Sequence, residues 1–300
     1  MSGQTNEKEA KEKEGGWLLP PRRKNAVTPG LYLIATPIGN LGDITLRALD
    51  VLAACDRVIC EDTRVSGKLL EHFGIKKPLL PYNDHNAAKQ RGPVLQMLRE
   101  GQKVAFISDA GTPLVSDPGY KLVRECISEG IMVTAIPGAN APLTALQLSG
   151  LPSDAFSFIG FLPPKSAARK KYLSEWKNAP GTLIAFETAP RLHDALKDIH
   201  EALGEREVAV ARELTKLHEE IVRGNVSELI VRYEGSEPKG EIVLVIGRGQ
   251  AAAMDDDEIG VALKKALKSM STKEAAAYVA EISGRPRKEI YSLALKHGKG

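Results

Sequence analysis

Four short loops in this 300-residue chain gather carboxylates, glycines and prolines at the ends of apolar runs. The third is the richest. In FISDAGTPLVSDPG, Phe106 to Gly119, two carboxylates (Asp109, Asp117) sit among Gly111, Pro113, Pro118 and Gly119. Glycine lets a backbone come close to a ligand and proline fixes the approach, while a carboxylate there is a candidate for ligand binding or proton transfer. The first loop, TPIGNLGD from Thr36 to Asp43, has the glycines of a ligand turn but neither GxGxxG nor a Gly-Lys-Ser/Thr phosphate loop. A dinucleotide or ATP site is therefore disfavoured. The second, Glu61-Asp62-Thr63-Arg64, reads either as a polar site corner or as a helix N-cap with a local ion pair. The fourth, PGANAP from Pro137 to Pro142, offers small residues on which an adenine or ribose can lie flat.

Two more charged strand ends follow: Phe186-Glu187-Thr188-Ala189-Pro190-Arg191, and the run from Arg212 to Glu220, with five charged residues and a histidine. A solvated turn is the default reading of that run. No Ser-His-Asp order or nucleophile elbow is visible, so covalent hydrolysis has no support. Cys55, Cys60 and Cys126 form no CxxC pair, and no histidine cluster has metal-ligand spacing, so no metal is expected. His85 and His193 stand alone and read as local hydrogen-bonders.

These loops need elements to aim them. LYLIAT, RVICED, LLPY, VAFI and IMVTAIPG are short apolar strands, separated by helical stretches such as ITLRALDVLAAC and Ala87 to Glu100. Thr45 or Asp43 is the expected cap of the first helix. Alternation at crossover spacing predicts a parallel sheet with its ligand loops along one edge. After Leu151-Pro152 the texture is more mixed: strands FSFIGFLP, TLIAFET, EVAVARELT and KGEIVLVIG, and helices PKSAARKKYLSEWKN, RLHDALKDIHEALG and NVSELIVRYEG. Lys165, Arg169, Lys170 and Lys171 are expected to make a basic helix face. The expected organisation is a charged disordered tail over 1–28, an α/β domain over 29–150, and a second over 151–249. A linker through AAAMDDDE leads to a basic helical module over 255–300, whose two short helices flank Gly284-Arg285-Pro286 in helix-turn-helix style.

Composition sets outer bounds. Aromatics make up 5% and the formal charge is +3, which allows an RNA partner without requiring one. No apolar run approaches the roughly 20 residues of a membrane span, and the thiols are expected to be reduced, as in a cytoplasmic protein.

TPIGNLGDITLRAL, EDTR, HFGI, SDAGTPLVSDPG, IPGANAPLTAL, GFLP, RELTK and KGE, in that order, resemble the ribosomal RNA small subunit methyltransferase I family, within the tetrapyrrole-methylase superfamily. The resemblance covers roughly residues 30–248 and extends to KEAA…GRPRKEIY. It departs from the family pattern at FETAPR and at PYNDHNAA. What it implies is a two-domain α/β fold of the class III S-adenosylmethionine methyltransferase type, with a C-terminal helical module. The implied reaction is 2′-O-methylation of a cytidine ribose in the decoding region of 16S rRNA, on the small ribosomal subunit, by a cytoplasmic homodimer. By position, the resemblance assigns S-adenosylmethionine to Pro37, Asp109, Ala110, Gly111, Thr112, Pro113, Ala141, Pro142, Ala185 and Phe186.

A ribose hydroxyl needs a base, for which Glu61, Asp62, Asp109 and Glu187 are candidates. Phosphates need cations, and Arg64, Arg191, Arg212 and Lys216 stand in the motif loops. Two alternatives remain: a tetrapyrrole C-methylase of cobalamin or sirohaem synthesis, and a non-enzymatic RNA-binding assembly factor.

Overall fold

In the computed structural model, the structure describes residues 27–236, 238–249 and 256–297. The expected tail lies outside them except for its last two residues. The first half folds around five strands: β1 (Gly30–Ile34), β2 (Arg57–Cys60), β3 (Leu79–Pro81), β4 (Lys103–Ile107) and β5 (Val133–Ile136). All pair in parallel, in the order β3-β2-β4-β1-β5. Helices α1 (Leu46–Ala54), α2 (Thr63–His72), α3 (Ala87–Arg99), α4 (Tyr120–Ser128) and α5 (Ala141–Ser149) connect the strands or follow them.

Both faces of this sheet are covered, which is why its strands read as continuous apolar runs. Tyr32, Ile34, Val58, Cys60, Ala105 and Ile107 point to a core shared with Val51 and Leu52 of α1 and Leu70 of α2. Their neighbours Leu31, Ile59, Val104 and Phe106 point the other way, onto α3 and α4. Thr45 caps α1, its hydroxyl accepting from the Ala48 N–H at 3.1 Å. All three cysteines are buried and free, and burial pushes the Cys55 thiol up to about 12.

The second sheet comprises β6 (Phe156–Phe161), β7 (Thr182–Thr188), β8 (Glu207–Arg212), β9 (Glu220–Asn225) and β10 (Glu241–Ile246), ordered β6-β7-β10-β8-β9. Only β6 and β7 pair in parallel. Helices α6 (Ser166–Glu175), α7 (Leu192–Leu203) and α8 (Val226–Arg232) cover one face. The other receives α5: Ala145 and Leu146 pack with Ile38 against Ile184, Ala209, Ala211, Val243 and Val245. That apolar layer joins the two sheets. Arg223 of β9 reinforces it by donating to the carbonyls of Leu148 and Ser149 at the carboxyl end of α5, where the helix dipole favours a cation.

Three local expectations need correction. The strand at EVAVARELT stops at Arg212, because Glu213 and Thr215 turn into the left-handed region (φ 51° and 66°), and the chain returns as β9, which its mixed sequence EIVRGN concealed. Arg169 belongs to no exposed basic face: it is 2% exposed, and it donates to Asp198 at 2.7 Å. A further helix, α9 (Asp256–Ala266), begins where a linker was expected and precedes the two helices expected around Gly284-Arg285-Pro286, which are α10 (Thr272–Ser283) and α11 (Arg287–His297). The acidic residues Asp256 to Glu258, expected in a linker, start α9, where the helix dipole favours them. The rest of that expected linker, residues 251–255, lies outside the described residues. Ile259, Leu263, Ala276, Val279 and Ile290 give the trio its own core.

Candidate functional site

The carboxyl ends of β1, β2, β4 and β5 all open toward the second sheet, and backbone bonds lock their loops together. Thr36 and Gly111 exchange N–H to carbonyl bonds of 2.9 and 3.0 Å, and the Thr36 hydroxyl donates to the Ser108 carbonyl at 3.1 Å. Gly111 has φ +79°, and a Cβ there would stand 3.2 Å from Ile38, so glycine is what this crossing permits. Asn140 caps α5 through the Leu143 N–H, and its amide donates to the Thr112 hydroxyl at 3.1 Å. The Thr112 hydroxyl in turn donates to the Ala139 carbonyl. Leu114 and Ser116, with φ 73° and 66°, hold left-handed conformations that cost non-glycine residues energy.

Between the sheets these loops wall a cleft of about 280 Å³, close to the roughly 300 Å³ at the lower end of small-molecule sites. One wall is acidic, carrying Glu61, Asp109 and Asp117. The other is largely apolar, with Phe161, Phe186, Leu214, Ile242 and Val243 beside the ion-paired Glu187 and Glu241, and Phe186 packs against Phe158 and Phe161 at 5.0 and 5.1 Å between ring centres. Burial pushes Asp117 up to about 6, with the neighbouring Glu61 and Asp109 charges adding to it. Burial also raises Glu61 and Asp109, and nearby Asp109, Asp84 and Asp62 charges add to the effect on Glu61. Carboxylates crowded in this way favour a bound cation. An apolar, aromatic wall opposite them suits a planar ring. The donor set therefore fits a ligand with a positive charge at one end and a heteroaromatic ring at the other.

Of the residues singled out in the sequence, Glu61, Asp109, Ala110, Gly111, Thr112, Ala141, Pro142, Phe186 and Glu187 line this cleft. Pro37, Pro113 and Ala185 do not; Ala185 is buried in β7 opposite Leu244 of β10. Asp62 turns away to cap α2, accepting the Arg64 N–H at 2.8 Å and the Arg64 guanidinium, which hold its carboxyl down at about 2. The cap-and-ion-pair reading therefore holds for Asp62 and Arg64, while Glu61 of the same loop faces the cleft. Glu187 is fully occupied: Arg191 grips both its oxygens, and the Arg169 guanidinium lies 3.9 Å away. Arg212 pairs with Glu220, Lys216 with Glu213 and Glu241, and the Arg64 side chain is 87% exposed.

Asp117, the second carboxylate of the third loop, faces the cleft, and the N-cap of α4 is Gly119, with no side-chain bond. Sequence reasoning missed Glu241, Ile242 and Val243. Looking at the carboxyl ends of strands finds β7, yet β10 runs antiparallel to it and brings its amino end to the cleft. The charge of KGE at the mouth of an apolar strand was the available signal.

Residues 30–230 match the family of Tetrapyrrole (Corrin/Porphyrin) Methylases, and residues 253–298 match the RsmI C-terminal HTH domain. The chain is 49% identical to a Ribosomal RNA small subunit methyltransferase I of Mesorhizobium japonicum, over 89% of this chain and 92% of the relative. To its counterpart in Erythrobacter litoralis it is 52% identical, over 90% and 96%. Among solved structures, a uroporphyrin-III C-methyltransferase of Thermus thermophilus complexed with S-adenyl homocysteine has a TM-score of 0.51 and 19% identity, covering 73% of this chain and 97% of that one. That likeness is one of fold.

Proposed function

Since the chain belongs to the ribosomal RNA small subunit methyltransferase I family of tetrapyrrole methylases, we propose that its cleft carries out the family's reaction on the ribose of a small-subunit nucleotide. It is an S-adenosylmethionine-dependent rRNA methyltransferase, and the reaction is 2′-O-methylation of a cytidine in the decoding region of 16S rRNA. The observation that carries the reading is the acidic wall of Glu61, Asp109 and Asp117 facing the Phe161–Phe186 wall across one cleft. A cationic, adenine-bearing donor satisfies both.

Bound S-adenosylmethionine supplies an electrophilic methyl on a positively charged sulfur. Asp109, with Ala110 to Thr112, would hold its charged amino-acid end, where Gly111 lets the backbone come close. Ala141 and Pro142 with Phe186 would take its ring. In-line displacement gains most of its rate from positioning, so the tethers Thr36–Gly111 and Thr112–Asn140 serve the reaction by fixing the loops. Glu61 is the proposed base: it lines the cleft and its proton affinity is raised, whereas Asp62 is spent on the cap and Glu187 on two guanidiniums. Arg64, exposed at the rim, is proposed to meet phosphate, as is the basic trio α9–α11. The active species is proposed to be a homodimer, and a cytoplasmic location is in keeping with the free buried thiols. No helix among the described residues is long and apolar enough to cross a membrane.

Labelled S-adenosylmethionine offered with undermodified small subunits, or with a tetrapyrrole, tests the reading. Label on a cytidine ribose is expected. Label only on the porphyrinoid would restore the tetrapyrrole alternative, and none on either would favour the assembly factor.

A further inference from the structure

The turn between β8 and β9 is built more rigidly than a solvated connection needs. Glu213 and Thr215 both hold positive φ, 51° and 66°, a strain that survives only where the surroundings fix it. Here they do. Glu213 N–H donates to the Glu241 carbonyl at 3.0 Å, and Glu241 N–H donates back to the Glu213 carboxylate at 3.0 Å. Lys216 Nζ bridges Glu213 and Glu241 at 2.8 Å each, and the Thr215 N–H donates to Glu219 at 2.7 Å.

The result is a braced turn that buries one leucine and exposes another. Leu214 is buried in the cleft wall, while Leu217 is 93% exposed. Leu217 is the most exposed of the large apolar side chains among the described residues. Immediately beside it, Arg212, His218, Arg232 and Lys239 line a hollow whose lining includes one carboxylate, Glu220.

A ribose hydroxyl inside a stacked RNA cannot enter a cleft between two sheets. The nucleotide must first leave its stack, and nucleic-acid proteins that unstack bases do so with an apolar side chain pushed between them. We propose that Leu217 is that wedge, entering the small-subunit RNA beside the target nucleotide, while Arg232 and Lys239 hold a flanking phosphate. The strained turn supplies the stiffness a wedge requires, and Leu214 on the same turn sets it against the cleft. This rests on the ribose-methylation reading above.

Small subunits from a strain lacking the modification serve as the probe, with cofactor affinity and thermal midpoint measured alongside. Leu217→Asp is expected to lower kcat/KM on subunits by roughly tenfold or more with cofactor affinity unchanged, and Leu217→Met to stay within about threefold of wild type. Arg232→Ala with Lys239→Ala is expected to weaken subunit binding and to flatten its salt dependence by about one in slope. Wild-type efficiency in Leu217→Asp overturns the wedge while leaving the reaction intact. Failure of the wild-type protein itself to methylate subunits overturns both.

Discussion

The backbone N–H of Asp62 donates to Oδ1 of Asp109 at 3.1 Å, so the loop after β2 locates the carboxylate that the loop after β4 presents to the cleft. Asp109→Ala removes both the charge and this acceptor. Cofactor binding should be abolished while the fold persists with a loss of about 1 kcal/mol. Asp109→Asn keeps an oxygen for the Asp62 N–H and should recover the stability but not the affinity. Calorimetry showing wild-type affinity in Asp109→Ala would refute the assignment.

Asp117 gives the protein a pH signature. Its folded value, about 6, lies above the ordinary 3.8, so the folded state holds this proton more tightly than the unfolded chain does. Its contribution to stability is complete below about 4 and is lost as pH rises to about 6. Asp117→Asn lacks that loss. Urea midpoints measured across this window should therefore separate, with the variant gaining on wild type as pH rises; parallel curves would show that Asp117 is not held in its neutral form.

Arg169 is the centre of a buried charge network, donating to Asp198 at 2.7 Å and lying 3.9 Å from Glu187, while Ser166 also donates to Asp198. Arg169→Met leaves two buried carboxylates short of a partner and should cost about 3–5 kcal/mol. Arg169→Lys should recover only part, because the ammonium cannot reproduce the planar fork. Denaturant unfolding reads both. A loss under about 1 kcal/mol in Arg169→Met would mean the network is worth little.

Gly39 is where the first loop meets the turn after β8. Its φ is +151°, and a Cβ would fall 2.4 Å from Lys216 Cγ. Gly39→Ala should displace Lys216 from Glu213 and Glu241 and destabilise by about 1–3 kcal/mol. Activity on subunits should drop further than stability alone accounts for. A variant with an unchanged melting temperature and full activity would show that the two loops move independently.

Deleting residues 255–300 removes the helical trio, whose apolar core is its own. Subunit binding should weaken far more than cofactor binding. A truncated protein that methylates subunits at the full rate would rule out a role for the trio in RNA engagement.

Much of this was legible in the sequence where local physics governs. VAFI, LYLIA and VIC are apolar runs because helices cover both faces of their sheet, and the Thr45 cap follows from its place before an apolar helix. The four loops of the first sheet were found because its strands all point one way. Legibility failed where a residue's meaning depends on distant partners. Arg169 sits among lysines in sequence, yet Asp198 and Glu187 bury it. β9 is disguised by a sequence whose alternate residues face solvent, and β10 reaches the cleft with the end that a rule drawn from parallel sheets ignores.

β10 has one more consequence, in the order of synthesis. It is the last strand of its sheet in sequence, yet it lies in the middle, between β7 and β8. Until the ribosome has released Glu241 to Ile246, the second half is two separate strand pairs, β6–β7 and β8–β9, with no hydrogen-bonded seam between them. The same residues complete the cleft wall and the brace of the β8–β9 turn. Assembly of the sheet, closure of the pocket and stiffening of the turn therefore all wait on the same strand, whereas the acidic wall of the cleft is built wholly from the first sheet's loops.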